Sequence, residues 1–361
     1  MPTMPKTLTR AAAGAALLAL VGASATAAPW GRKKAPPPPP PPPPAVAPTV
    51  PPPTQVTVAT RLVDTAGAYA AYMERASGIN ARFSGGPEVA GSLRVVEAFE
   101  PRQLQQGIIA YAAMVALKDP AFVNQLRIYA TDPRQADAIA ARLYADPNYV
   151  AAIPGVQSAA GLVQQSLNGQ AARLNATGAA VKQSAYDVQH QAWSKLPVEN
   201  REMRLAEAKM LSTMPMPVSA DDKNRVIALP VDAALTPVAN AGSPGPYSPS
   251  VARGLTIAAL AVLGRAGEEN ISQISYLLEN PRDASCLNMS KLNLYQCLSV
   301  AKPHYEDIFC MGQHVLLDTS QCVQKSAASP IPAAPLASAV VTSAAPMAAA
   351  QSQVLTLSSS Q

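Results

Sequence analysis

Four cysteines, Cys286, Cys297, Cys310 and Cys322, and three histidines, His190, His304 and His314, hold most of the chemistry open to this chain. Closely spaced thiols in even number pair as disulfides in an oxidising compartment and more often hold a metal or react in a reducing one. Cys310 and His314 stand four residues apart, so a helix puts them on one face, and with His304 and Glu306 nearby a metal site can be drawn. The sequence has no C-x-x-C pair and no C-x-x-C-H haem signature, and a disulfide claims Cys310 first. For acid–base work on a polymer the candidate carboxylates are Glu268, Glu269, Glu306 and Asp307. His304 with Asp307 three residues on reads equally as the start of a helix. No G-x-S-x-G elbow and no glycine-rich phosphate loop is present, and no cofactor is implied. Tyr186, His190 and Trp193, with Asp187 adjacent, recur at helical spacing. Such a stripe is a packing or partner surface, with sugar stacking as the alternative.

The elements around the cysteines decide between these chemistries. Cys286–Ser299 and Tyr305–Leu317 both read as helical, with Lys302-Pro303-His304 as the turn between them. In an antiparallel helical hairpin, facing residues have position numbers with a constant sum. Cys297 with Cys310 gives 607, and Cys286 with Cys322 gives 608. Two nested bridges follow, Cys297–Cys310 inside Cys286–Cys322. Sequential pairing fails on distance: eleven helical residues separate Cys286 from Cys297 by ~16 Å along the axis, whereas a disulfide needs Cα atoms within about 7 Å. The plan resembles the twin-cysteine hairpins of mitochondrial intermembrane-space proteins. The gaps here differ from theirs, so the likeness is one of geometry and carries no function.

The address agrees with disulfides. Residues 1–28 carry Lys6 and Arg10, then an uncharged Ala-rich stretch from Ala11 to Ala28, then Ala25-Thr26-Ala27 as an A-x-A cleavage site, the plan of a secretory signal. An uncleaved anchor would place Arg32, Lys33 and Lys34 outside against two basic residues inside, contrary to the positive-inside tendency. No later apolar run is long enough to span a membrane, so the expected mature protein is exported to the periplasm or medium, peripheral to the envelope at most. Charge excludes nucleic acid as a partner. With the two basic residues of the signal removed, 26 remain against 23 acidic ones, and Arg32, Lys33 and Lys34 account for the excess. A nucleic-acid binder needs a concentrated basic face.

The flanks are of low complexity. Residues 29–53 hold 14 of the 36 prolines, including the unbroken run Pro36–Pro44. Proline fixes φ and removes the backbone donor, so this segment reads as an extended polyproline II stalk, roughly 59 Å over residues 35–53 at ~3.1 Å per residue, with a ligand for a Pro-recognising partner as the alternative. Residues 326–361 form an uncharged Ala/Ser/Pro/Gln tail that can bury little and is expected to be disordered.

Between the flanks the signals are helical. A helix is predicted over Arg61–Ile79 with Gly78 as its stop, while Ser92–Phe99 fits either a strand or a helix end. Asp119-Pro120, Asp132-Pro133 and Asp146-Pro147 recur at 13 and 14 residues. Asp is a preferred N-cap and Pro suits the first helical position, so the pairs punctuate a train of short helices: Pro101–Lys118, Pro120–Ala130, Pro133–Ala145 and a turn from Pro147. Ile108, Ile109, Val115, Leu126, Ile128, Ile139 and Leu143 are their apolar residues. A proline-free run from Pro154-Gly155 to about Lys195 predicts one long helix with a small-residue seam through Ala160, Val163, Leu167, Ala171, Leu174, Gly178, Val181, Ala185, Val188 and Ala192. Such a seam permits close approach of a partner helix, from the same chain or another copy. Residues 212–249 form a Pro-rich connection in which only Arg225–Leu229 looks strand-like, and helices resume at Ser250–Leu263 and Ile271–Leu278.

The chain therefore reads as mainly α: a signal peptide (1–28), a Pro-rich stalk (29–53), a helical domain (54–211), a Pro-rich connection (212–249), a helical segment with the cysteine hairpin (250–325) and a disordered tail (326–361). The expected function is that of an exported, non-enzymatic envelope scaffold or adaptor working by helix-mediated self-association or partner binding. Two alternatives are a cell-wall (peptidoglycan) binding or processing enzyme or accessory, and a periplasmic metal-binding protein at Cys310 and His314.

Overall fold

The computed structural model describes residues 56–229 and 244–328. The predicted signal peptide, the stalk, residues 230–243 of the Pro-rich connection and the tail from residue 329 onward lie outside the described residues.

The Asp-Pro pairs act as the sequence predicts. Asp119 accepts from the backbone N–H of Phe122 at the start of α4 (Pro120–Ala130), Asp132 from that of Arg134 in α5 (Pro133–Ala145), and Asp146 from that of Asn148 in the 3-10 turn Pro147–Ala152. Upstream lie α1 (Thr60–Ser77), α2 (Gly86–Glu97) and α3 (Pro101–Ala116). The ambiguous segment around Ser92–Phe99 thus belongs mostly to a helix, because Val89, Leu93 and Val96 repeat at three and four residues and are all buried. Ile128, predicted among the apolar core of this array, is instead 59% exposed on the outer face of α4.

Almost every residue of α3 is buried, and so is nearly all of α9 (Pro249–Val262), which makes these two helices the centre of the molecule. They pack on each other, and α3 packs on α1 with its other side. Glycine sets both crossings. A Cβ on Gly254 would lie 2.6 Å from Ala112 Cβ, and one on Gly107 would lie 2.5 Å from Tyr69 Cβ. Gly254→Val should therefore lower unfolding free energy by about 2–3 kcal/mol through overpacking, read from denaturant midpoints. Wild-type stability in this variant would mean that the two helices are not in contact at that point.

The long helix α6 (Val156–Val188) runs unbroken through Gly161, Gly169 and Gly178. Its seam from Ala160 to Val188 is buried within its own chain, against α1, α3, α4 and α9 on one stretch and the cysteine region on the other. The helix ends at Val188, short of the predicted Lys195. Ser194 Oγ donates to the carbonyls of Val188 and Gln191, replacing the backbone donors that would have continued the helix. Ala192, predicted to extend the seam, lies exposed beyond that end.

After α6 come α7 (Arg201–Leu211) and α8 (Ala220–Ile227). The strand-like reading of Arg225–Leu229 is overturned by a capping box: Ser219 Oγ accepts from the Asp222 N–H at 3.1 Å, and the Asp222 carboxylate accepts from the Ser219 N–H at 2.8 Å. Val226 is then buried and Ile227 exposed, as one helical face requires. The helix predicted over Ile271–Leu278 is a single turn, α10 (Ile271–Ile274), running into a 3-10 turn.

The cysteine hairpin consists of α11 (Pro281–Val300) and a continuous return formed by α12 (His304–Cys310), a π-helical stretch (Met311–Leu317) and α13 (Asp318–Ala327). The bridges are Cys286–Cys322, with Cα atoms 5.8 Å apart, and Cys297–Cys310, at 5.6 Å. Ser326 and Ala327 complete α13 and are buried. No strand is present among the described residues, and no helix there is long and apolar enough to cross a membrane.

Candidate functional site: two pockets flanking one short helix

Helical periodicity sorts the residues of α12 onto two sides. His304 and Asp307 point toward α2 and α7 and line a polar pocket of about 210 Å³. Tyr305, Glu306, Phe309 and Cys310 line a second pocket of about 370 Å³ toward the end of α6.

The polar pocket gathers charges that the packing takes out of water. Asp307 is buried and ion-paired with Arg204, which also donates to the Leu298 and Ala301 carbonyls, while Arg201 donates to Ala301 at 2.7 Å and to Ser299 at 3.0 Å. The two arginines thus cap the C-terminal end of α11, where orphan carbonyls and the helix dipole favour cations. Burial pushes the Asp307 carboxyl up to about 6 against the opposing pull of Arg204. Glu97, at the end of α2, is 1% exposed, and its Oε2 has no hydrogen-bond partner. Burial pushes it up to about 8, and the nearby Lys291 offsets only part of that. Lys291 lies behind it, donating to the Glu97 carbonyl with its ammonium 3.7 Å from the centre of the Phe99 ring, a cation–π contact. Burial pulls Lys291 down to about 7. His304 packs so closely on Gly86 that a Cβ there would lie 2.5 Å from its Cε1, and burial followed by the Arg204 charge lowers its pKa. Asn200, at the rim, has φ of 50°, a left-handed conformation that Asn tolerates.

The second pocket is an aromatic groove. Tyr186 meets Phe309 edge to face with centroids 6.2 Å apart, and Lys182 Nζ sits 5.5 Å from the centre of the Phe309 ring. Tyr305 adds a third ring, and Cys297 and Cys310, which bridge α11 to α12, lie among the lining. Val300, 71% exposed, and Tyr186, 46% exposed, stand at its edges. Glu306 lines the groove and Asp187 follows Tyr186; neither carboxylate is ion-paired among the described residues.

The residues singled out from sequence distribute as follows. Tyr186, His190 and Trp193 do not form one stripe, because α6 ends between the first and the second. Tyr186 lines the groove, His190 is exposed on the turn, and Trp193 is half-buried with its ring 6.4 Å from that of His304. Cys310 is committed to Cys297, and His314 Nδ1 lies 3.3 Å from Asp318 Oδ2. A disulfide sulfur is no thiolate ligand, so the Cys310–His314 pair is not available as drawn, and no three His, Cys, Asp or Glu side chains converge among the described residues. The four candidate carboxylates are not brought together. Glu306 lines the groove and Asp307 the polar pocket, Glu268 Oε1 accepts from the Thr60 N–H, and Glu268 and Glu269 line neither pocket. Sequence reading missed Glu97, Lys291 and Arg204, whose types and spacing look like those of any solvated helix face.

No family model, no curated protein and no solved structure matches this chain.

Proposed function

We propose that the chain is an exported, non-enzymatic adaptor of the cell envelope that holds a proline-rich extended segment in the groove beside Cys297–Cys310. The observation that carries this reading is the set of three aromatic rings, Tyr186, Tyr305 and Phe309, around an open apolar groove. Aromatic-lined grooves take polyproline II segments because the preformed helix loses little entropy on docking and its rings stack on the aromatic faces. The sequence carries an unbroken proline run, Pro36–Pro44, preceded by Arg32, Lys33 and Lys34. Those cations complement Glu306 in the groove lining, whose carboxylate makes no ion pair among the described residues. The occupant we assign is the proline-rich segment of a second copy, which makes the contact a self-association. Export is supported by the signal-like residues 1–28 and by the two disulfides, which persist outside the reducing cytosol.

The wall-processing alternative would use Glu97 and Asp307 as acid and base. The geometry supports it less: Arg204 holds the Asp307 carboxylate, and about 210 Å³ is below the roughly 300–1,000 Å³ usual for a ligand site.

The test is a titration of a synthetic peptide spanning residues 31–45 into a chain whose own Pro36–Pro44 run is replaced by Gly and Ser. Saturable binding that Tyr186→Ala with Tyr305→Ala weakens at least about tenfold is expected, since base-like stacking contacts of this kind contribute ~1 kcal/mol or more each. Absence of binding, or equal binding by the variant, would remove the groove from the account.

A further inference from the structure

On another part of the molecule α1, α3, α6 and α8 enclose a pocket of about 550 Å³ that neither the adaptor reading nor the hairpin uses. Its volume is in the range of small-molecule sites, which combine apolar walls with a few convergent polar groups. The walls are Ala70, Ala71 and Met73 from α1, and Val226, Ala228 and Leu229 from the end of α8. Polar groups come from all four helices: Glu74 and Ser77 from α1, Tyr111 from α3, Gln170 and Arg173 from α6, and Asp222 and Arg225 from α8.

Three of them are placed for recognition. Gln170 lines the pocket, is 7% exposed, and its Oε1 has no hydrogen-bond partner. A buried amide oxygen left unmatched is costly, on the order of 1–3 kcal/mol, so it marks a position where an N–H or O–H donor belongs. Arg173 lies three residues on, on the same face of α6, and makes no hydrogen bond or ion pair among the described residues. Tyr111 presents a buried hydroxyl 3.0 Å from Ser166 Oγ, with the ring of Tyr69 packed on it at 5.3 Å. The other charges at the rim are already matched. Arg225 bonds both Glu74 and Asp222, and Asp222 also completes the cap of α8. Among the described residues Arg173 is therefore the one unmatched cation in the lining, one turn from an unmatched acceptor.

We propose that this pocket binds a small carboxylate whose neighbouring carbon carries both an amide N–H and an apolar side group, the chemistry of an N-acyl amino acid or of the last residue of a short peptide. The carboxylate takes the Arg173 guanidinium, which suits a planar two-oxygen anion. The adjacent N–H donates to Gln170 Oε1, and the side group lies on the Ala70, Met73 and Val226 wall. A phosphate group is disfavoured, because one unpaired guanidinium faces it while Glu74 and Asp222 stand at the same rim.

N-acetyl-leucine and N-acetyl-leucine amide, titrated calorimetrically into the mature disulfide-bonded chain, separate the outcomes. The acid should bind saturably, and its amide should bind at least about tenfold more weakly, the value expected when one charge-assisted hydrogen bond is lost. Arg173→Met, at an exposed position whose removal leaves the core intact, should cost the acid the same factor. Gln170→Leu, which replaces the unmatched oxygen with a methyl group, should weaken binding without lowering the thermal midpoint. Inorganic phosphate should not displace the acid. Indistinguishable acid and amide, unchanged affinity in Arg173→Met, or displacement by phosphate would each overturn the proposal.

Discussion

A chain with alanine at Cys286, Cys297, Cys310 and Cys322 should lose roughly 6 kcal/mol of stability, close to the whole margin of a typical domain. The figure follows from the two spans that the bridges close, 36 and 13 residues. In the chain-entropy account, loops of those lengths are worth about 3–4 kcal/mol each, and nesting brings the total slightly below the sum because the inner bridge has already shortened the outer loop. The location sharpens the expectation. The hairpin packs along the distal half of α6, and α11 also supports α3 and α7, so loosening it uncovers the far end of the longest helix. Denaturant unfolding of oxidised and alanine-substituted chains measures the difference. A loss below ~1 kcal/mol would mean that the hairpin is held by packing alone. Reduction of the wild-type protein should reproduce the effect, and restoring Cys286 with Cys322 alone should recover the larger share.

Glu97→Gln should do the opposite and stabilise the protein, by about 2–4 kcal/mol at pH 8. Burial raises the folded-state pKa of Glu97 from its ordinary 4.5 to about 8. The unfolded chain gives up this proton near 4.5 and the folded one keeps it, so stability falls as pH rises between those values. Asp307, raised by burial to about 6, adds the same sign between 3.8 and 6. Lys291 runs the other way: lowered by burial to about 7, it is already neutral in the folded state while the unfolded chain stays charged up to 10.5, so stability rises from 7 toward 10.5. The cluster as a whole therefore gives its least support near pH 7–8, where most proteins are near their best. Glutamine keeps the volume of Glu97 and has no charge to desolvate, so the variant should lose the falling limb between pH 4.5 and 8. The remaining charges around Glu97, those of Arg94, Glu207 and Asp307, are unchanged by it. Parallel pH series of unfolding free energy decide the matter, and a variant less stable than wild type at pH 8 would show that Glu97 is ionised and paired in the folded state.

Local rules made much of this fold legible. The helices opened by Asp-Pro pairs needed only the capping carboxylate and the fixed φ of proline, and α4 and α5 start and end at the residues predicted. The nested bridges followed from rise per residue in a hairpin, which is a metric argument and independent of the rest of the fold. What local rules could not supply was the identity of neighbours. The seam of α6 announced a close partner, but that the partner is the chain's own α3, α9 and hairpin depends on contacts between residues far apart in the chain, 55 positions in the case of Tyr111 and Ser166 and 131 in that of Lys182 and Gln313. The end of α6 was misplaced because a serine side chain, Ser194, does the terminating in place of proline or glycine. The same limit governs the sites. Tyr186 was visible as an aromatic on a helix, whereas Tyr305 and Phe309 join it only once the hairpin folds back. Glu97 and Lys291 carry no signal of burial in their flanking sequence, since each is a common helical residue type; only the tertiary structure makes them costly.

The adaptor reading is tested most directly by the contents of the groove in the intact protein. A photoreactive benzophenone side chain placed at Val300, at the groove edge and 71% exposed, reports what lies there. Cross-linked peptides should contain residues from the segment 29–53 of a second copy, at dimer mass. Loss of those cross-links in Tyr186→Ala with Tyr305→Ala would tie them to the aromatic rings. Cross-links that fall on other segments, or that persist when Pro36–Pro44 is replaced by Gly and Ser, would contradict the account.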